Sequence, residues 1–266
     1  MTEQQILEAA NQLDQAERER RQMRPLTLTY PDMSLADAYA VQARWVALKR
    51  DRGDRVTGYK IGLTSRAMQQ AMSIDTPDYG VLLESMAISN RATIAAEDYL
   101  DPRIEAEFAF VLKDRLFGED VTPEEVIAAT DYVVPALELI SARSVRTDAE
   151  TGYTRTVCDT IADNAANAGY VPGEIRIDPR QVDLRWAGAL LYLNDEVEES
   201  GLGGAVMEHP AQGICWVCKR FAPHGIALEP GDFVLSGSFT RPVAVAPGDV
   251  VRADYGTHGE IVISFR

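Results

Sequence analysis

Apolar and polar positions recur with two different periods along this chain, and the change of period divides it. Over the first fifty residues the spacing is helical: Ile6, Leu7, Ala10, Leu13 and Ala16 form one stripe. Ser34, with Asp37 three positions on, sets an N-cap for a second helix that runs through Trp45 and Leu48 and closes at Gly53. The segment "PLTLTYPDMS" separates the two. A third helix is signalled by "TPEEVIAAT", where Thr122 caps, Pro123 takes the first turn and Glu125 completes a capping box. A fourth is expected from His209 to Phe221, with Pro210 in its first turn and Gly225 after it. Most of the remainder is strand-like. "GALLYLNDEVEESG" gives two extended runs around an Asn194-Asp195 hairpin turn, and the C-terminal portion alternates strands with "PGD" turns at 230–232 and 247–249. Strands and helices do not alternate as in a parallel doubly wound sheet, and there is no internal repeat or low-complexity linker. The expected class is α+β: a single catalytic unit over 1–266, with a helical N-terminal portion (1–53) packed on a β-rich body (54–266).

Composition narrows the partners. The 266 residues are 46% hydrophobic and 25% charged, ordinary for a soluble globular protein. The net charge of -15 repels phosphate backbones and anionic lipid, so neither nucleic acid nor membrane is an expected partner. No apolar run approaches membrane-spanning length, and "MTEQQILEAANQLDQ" lacks the regions of a signal peptide, which makes the cytoplasm the expected compartment. Three cysteines are too few for a disulfide scaffold. Cys215 and Cys218 have the CxxC spacing of a redox or zinc site, but with Ala211, Ile214 and Phe221 they share one helix face, the pattern of a core stripe.

Candidate chemistry begins with "RIEAEFAF". In a strand, Glu105 and Glu107 share one face, and Ile104, Ala106, Phe108 and Phe110 share the other. A surface strand with a wet carboxylate face has the same pattern. A third carboxylate, Glu138, lies in the apolar run Tyr132–Ile140, where a lone ionised group must be paired, bound to metal or neutralised. If the two strands are neighbours, three carboxylates converge, and their oxygens suit Mg2+ or Mn2+; no His or Cys set suits zinc better. Lys60 sits between Gly58 and Gly62 in "GYKIGLTSRAM", either snorkelling or offering a fixed positive charge to an enolate oxygen. Asp78 in "PDYG" has a turn-forming context. Ser238 and Thr240 in "SGSFTRP" supply hydroxyls between two expected strands.

These stretches, together with "GVLLESM", "DYVVPALELISAR" and "DTIADNAANAG", resemble the hydratase and decarboxylase branch of the fumarylacetoacetate hydrolase superfamily, in order and over nearly the whole chain. The resemblance implies a mixed β-sheet roll with N-terminal and peripheral helices and a ring-like homo-oligomer, pentamer or decamer. It implies metal ligands at Glu105, Glu107 and Glu138, catalytic groups at Lys60 and Asp78, substrate contacts at Ser238 and Thr240, and Mg2+, or Mn2+, as cofactor. The activity it implies is addition of water to a small 2-oxo or 2-hydroxy-dienoate diacid, 2-oxohept-4-ene-1,7-dioate. Its alternatives are a 4-oxalocrotonate-type decarboxylation or hydration of 2-hydroxypenta-2,4-dienoate. Superfamily members that cut carbon-carbon bonds use a His-Glu pair to activate water, whereas the three histidines here all follow residue 208. A non-enzymatic partner role is disfavoured by the intact carboxylate triad.

Overall fold

The computed structural model describes residues 1–65, 69–70, 74 and 76–266; Arg66, Ala67 and Met68 of the Lys60 motif lie outside the described residues. Helices α1 (Glu3–Arg18) and α3 (Leu35–Asp51) each open on a reciprocal capping box, Thr2 with Gln5 and Ser34 with Asp37. Gly53, at φ +98°, takes the left-handed conformation that ends α3. Between them α2 (Leu26–Thr29) forms one turn inside the stretch expected only to connect, because four residues are too few for periodicity to register.

Among the described residues the strands form two sheets. The larger runs in the order β2 (Asp78–Leu83), β1 (Val56–Gly62), β9 (Phe233–Ser238), β4 (Arg103–Leu112), β5 (Thr130–Ile140), β6 (Asn167–Pro172), and β10 (Val243–Ala244) adds to the end of β4. The smaller has the order β3 (Thr93–Ile94), β12 (Glu260–Phe265), β11 (Val250–Asp254), β7 (Gly188–Leu193), β8 (Glu196–Leu202). β1 runs parallel to β9 and β12 parallel to β3, so both sheets are mixed. The body also carries α4 (Pro123–Ala129), α5 (Val157–Ala162) and α6 (Ala211–Phe221). This is the α+β arrangement of mixed sheets and peripheral helices that the sequence led us to expect. α6 starts two residues later than expected, with Pro210 as its N-cap and His209 Nδ1 accepting from the Ala211 N–H at 3.0 Å.

Turn chemistry sets the connections. Asn194 and Asp195 both have positive φ, 52° and 70°, the conformation whose twist matches a two-residue hairpin. Each "PGD" turn closes with the Asp N–H on the carbonyl three residues back, Glu229 or Ala246, while the Asp carboxylate accepts from the N–H of that same residue.

β4 is buried on both faces, and each face has its own core. Ile104, Ala106, Phe108 and Phe110 pack with Leu191, Val251 and Ile263 of the smaller sheet and with Ile214, Cys215, Cys218 and Phe221 of α6. The opposite face, through Ala109 and its neighbours Val134, Ala136 and Leu235, is covered by Ala9, Ala10 and Leu13 of α1, Val41 and Trp45 of α3 and Ile161 of α5. A buried arginine fastens that cover. Arg143, just beyond β5, pairs with Glu17 of α1 at 2.8 Å and with Asp163 at 3.0 Å, and its guanidinium lies 4.6 Å from the Trp45 ring. The side of β4 that carries Glu105 and Glu107 is therefore roofed by the N-terminal helices at its Ala109 end rather than open to solvent along its whole length.

Candidate active site

The strand register creates an electrostatic conflict. β4 and β5 pair antiparallel with Glu105 directly opposite Glu138. Like charges in that position destabilise a sheet. Glu107 lies two residues along on the same face, and one carboxylate oxygen from each of the three falls within 4.8 Å of the others. Glu107 and Glu138 are each 1% exposed, and Glu105 is partly exposed to the adjoining cavity.

Backbone details aim these groups. The ladder between β4 and β9 slips between Glu107 and Ala109, and there Gly237, at φ +119°, turns its N–H onto Glu107 Oε2 at 2.9 Å. A Cβ at Gly237 would meet Thr64 at 2.5 Å, so only glycine allows the approach. The other oxygen, Glu107 Oε1, is buried without a hydrogen-bond partner. Glu138 Oε1 accepts from Asn167 Nδ2 at 2.9 Å and lies 3.2 Å from Lys60 Nζ.

Lys60 reaches the cluster from β1, and Asp78 starts β2, across the ladder from Gly62. Both are nearly fully buried, at 4% and 2% exposure. A Cβ at Gly62 would fall 2.3 Å from Asp78 Oδ1 and 3.0 Å from Lys60 Nζ, so the glycine leaves the space these two side chains occupy. Among the described residues Asp78 Oδ1 is also without a hydrogen-bond partner.

Four carboxyl groups thus surround one ammonium, and their proton affinities reflect it. Burial, reinforced by Glu138, pushes the Glu105 carboxyl up to about 8. Burial, Glu138 and Glu105 push Glu107 well above the usual carboxylate range, against the pull of Lys60. Burial raises Asp78 too, with Lys60 opposing. Burial works against the charge on Lys60, but Glu138, Asp78, Glu105 and Glu107 together hold it above its ordinary value. A cluster that resists ionisation, with a buried oxygen lacking a partner, fits a divalent cation: three hard oxygen donors, with charge the ion would offset.

Lys60, Asp78, Glu105, Glu107, Ser238 and Thr240 line one cavity of about 970 Å³. The Ser238 and Thr240 hydroxyls are engaged within the wall: Ser238 Oγ donates to the Thr240 carbonyl at 2.8 Å, and Thr240 Oγ1 accepts from the Ala106 N–H at 3.0 Å.

Periodicity gave no sign of how "DTIADNAANAG" supports the site. Asp163 pairs with Arg143, Asn164 bonds both backbone groups of Val81 in β2, and Asn167 holds Glu138. Asn164, Ala165 and Ala166 run at φ 52°, 50° and 59°, a left-handed stretch that is uncommon for alanine, and Ala165 and Ala166 line the cavity. Paired Asn and Asp residues around small ones were the available signal. The cavity arginines, Arg103, Arg146, Arg155 and Arg241, also went unread, because cations scattered along a sequence do not announce a common wall.

The fumarylacetoacetate (FAA) hydrolase C-terminal family matches residues 57–265. The chain is 48% identical over 256 residues to a 2-oxo-hept-4-ene-1,7-dioate hydratase of Escherichia coli, covering 96% of each. It is 38% identical over 265 residues to a 2-keto-4-pentenoate hydratase of Paraburkholderia xenovorans, covering 100% of this chain and 96% of that one. Among solved structures, 4-oxalocrotonate decarboxylase from Pseudomonas putida G7, complexed with magnesium and adipate, superposes with a TM-score of 0.94 at 32% identity, over 100% of this chain and 99% of that one.

Proposed function

This chain belongs to the fumarylacetoacetate hydrolase family, and from that premise we propose that it is a Mg2+-dependent hydratase of aromatic catabolism. It adds water to 2-oxohept-4-ene-1,7-dioate, in its 2-hydroxy-2,4-diene form, and yields 4-hydroxy-2-oxoheptane-1,7-dioate. The observation that carries the reading is the convergence of Glu105, Glu107 and Glu138 beside Lys60, with Lys60, Asp78, Glu105 and Glu107 on the wall of one cavity. The hydratase relative, at 48% identity, supports this substrate above the alternatives.

Glu105, Glu107 and Glu138 would hold the ion, Mg2+ or Mn2+, which when bound would supply a Lewis acid against negative charge on the substrate's 2-oxygen. Lys60, kept charged by the carboxylates around it, donates a hydrogen bond to that same oxygen. Asp78, held toward its protonated form, delivers a proton to carbon 5 as the enol proton leaves to solvent. Once ionised, it takes a proton from the water that adds at carbon 4, and carbon 3 is protonated last from solvent. Ser238 and Thr240, which knit their loop to β4, form the wall against which the substrate lies. Residues 1–266 act as one catalytic unit, since the helical cover and the catalytic sheet share a core.

Assembly into a ring-like homo-oligomer, pentamer or decamer, would cover the exposed apolar side chains Trp186, Val197 and Leu202, and mass by light scattering checks it. Among the described residues no helix is long and apolar enough to cross a membrane, and we place the enzyme in the cytoplasm. Turnover of the 2-hydroxydienedioate with Mg2+, followed by NMR, should give the 4-hydroxy adduct without CO2. Stoichiometric CO2 would assign the chain to the decarboxylases instead.

A further inference from the structure

Four arginines share the cavity with Lys60 and the acidic cluster. Two are matched: Arg241 lies 2.6 Å from Glu199, and Arg103 lies 3.2 Å from Asp101. Among the described residues, Arg146 and Arg155 have no carboxylate within 4.0 Å. Arg146 is exposed, as unpaired arginines commonly are. Arg155 is half-buried, and among the described residues its guanidinium makes one hydrogen bond, from Nη1 to the Ser144 carbonyl at 2.8 Å. A guanidinium carries five N–H donors in a planar fork and stays charged in proteins. Burial works against that charge, distant Asp163 favours it, and neighbouring Arg146, whose carbonyl accepts from the Arg155 N–H, opposes it. In a chain of net charge -15, an arginine left in this state on a cavity wall is an incomplete ion pair.

We propose that Arg155 receives the distal carboxylate of a diacid whose 2-oxo end lies at Lys60 and the carboxylate cluster, and so sets a preference for diacids over mono-acids of the same chain length. Arg155 is thus a specificity-determining residue. Its fork accepts a planar carboxylate through two parallel N–H donors, and Arg146 adds charge from the next rung. A mono-acid would leave Arg155 as it stands and forgo that pairing.

The proposal rests on the hydratase reading only for the end at which the substrate is anchored, so it is tested with acids that cannot react. Heptanedioate and heptanoate are titrated calorimetrically into the Mg2+-loaded protein. The wild type should bind heptanedioate at least about tenfold more tightly, the usual scale for a charge-assisted hydrogen bond. Arg155→Met should bring the ratio near one and leave heptanoate unchanged, and Arg155→Lys should keep part of it. Arg155→Gln retains a donor for the Ser144 carbonyl and gives the same answer if the Met variant does not fold. A wild type that does not discriminate, a ratio that survives in Arg155→Met or Arg155→Gln, or equal loss for both acids would overturn the assignment. Failure of the hydratase reading would show separately, as CO2 or no hydration in the turnover assay, while the binding ratio still reports on Arg155.

Discussion

Replacing Glu107 with Gln tests the acidic cluster most directly, because it removes one charge and little else. The amide oxygen can still accept from the Gly237 N–H, and the amide NH2 takes the place of the oxygen that now has no partner. With oxygens within 4.8 Å of one another, each pair of ionised carboxylates repels by at least about 3 kcal/mol at an effective dielectric constant near 20. Burial first, and that repulsion second, push Glu105 up to about 8 and raise Glu107 well above its ordinary value. Both groups therefore keep their protons to higher pH in the metal-free protein than ordinary carboxyls do, and a divalent ion must displace protons to bind. Calorimetry in buffers of different ionisation enthalpy should count more protons released on Mg2+ binding by the wild type than by Glu107→Gln. Affinity for Mg2+ should fall by at least about tenfold in the variant, since even the partners that merely orient a metal ligand contribute that much. Excess Mg2+ should restore part of the turnover. The sign of the stability effect follows from the raised values: the folded protein holds more protons than the unfolded chain above about pH 4.5, so the cluster's contribution is lost as pH rises toward 8. In EDTA, the denaturant midpoint of Glu107→Gln should therefore exceed the wild type's at pH 8 and approach it at pH 5. A variant with wild-type affinity and wild-type proton release would show that Glu107 is not a ligand.

Lys60→Met keeps the apolar stem and removes the ammonium 3.2 Å from Glu138; turnover in steady-state assays should drop at least about tenfold, and normal turnover would leave Lys60 a packing residue. Cys215 and Cys218 belong to the buried face of α6, and burial pushes both thiols up to about 12. The double Ala variant should keep metal content and activity at a cost of about 1 to 3 kcal/mol in urea unfolding, and stoichiometric zinc lost on mutation would contradict that. Arg143→Met would strand Asp163, 1% exposed at its side chain, and release Glu17, so unfolding free energy should fall by about 3 to 5 kcal/mol; a loss below about 1 kcal/mol would mean that the ion pairs do not fasten the helical cover.

The sequence made the helices and hairpins legible wherever local chemistry decides. Thr122 with Glu125, Ser34 with Asp37, and Asn194-Asp195 each act within four residues, and each took the expected form. Glu105 and Glu107 stood out because two carboxylates interrupt an apolar strand, and Glu138 because it interrupts another. Their meeting depends on the register of β4 against β5, which no local pattern specifies. The left-handed run Asn164 to Ala166 was beyond reach for a different reason: its conformation is held by Asn164 bonding Val81, 83 residues away in the chain. Arg143 and Arg155 lie twelve residues apart and read alike as sequence. One completes two ion pairs in the core, and the other faces a cavity with none among the described residues.

Site and scaffold in this chain pull in opposite directions, and the structure separates the two costs in space. The face of β4 that carries Glu105 and Glu107 also carries Ala109, whose neighbours Val134, Ala136 and Leu235 bury the N-terminal helices. The sheet is thus held by an apolar contact at one end while it tolerates an unfavourable Glu105–Glu138 rung at the other. A buried carboxylate cluster persists in a marginally stable fold only when its surroundings hold it there. Here those surroundings are Gly237 on Glu107, Asn167 on Glu138 and Lys60 across both. None of them could balance all four carboxyls if these ionised together, because one ammonium faces them, and burial holds Glu105, Glu107 and Asp78 toward their protonated forms. A divalent ion would offset the charge that ionisation of these donors brings, so on the metal-site reading a substitution that relieved the strain in the metal-free protein would also weaken the site.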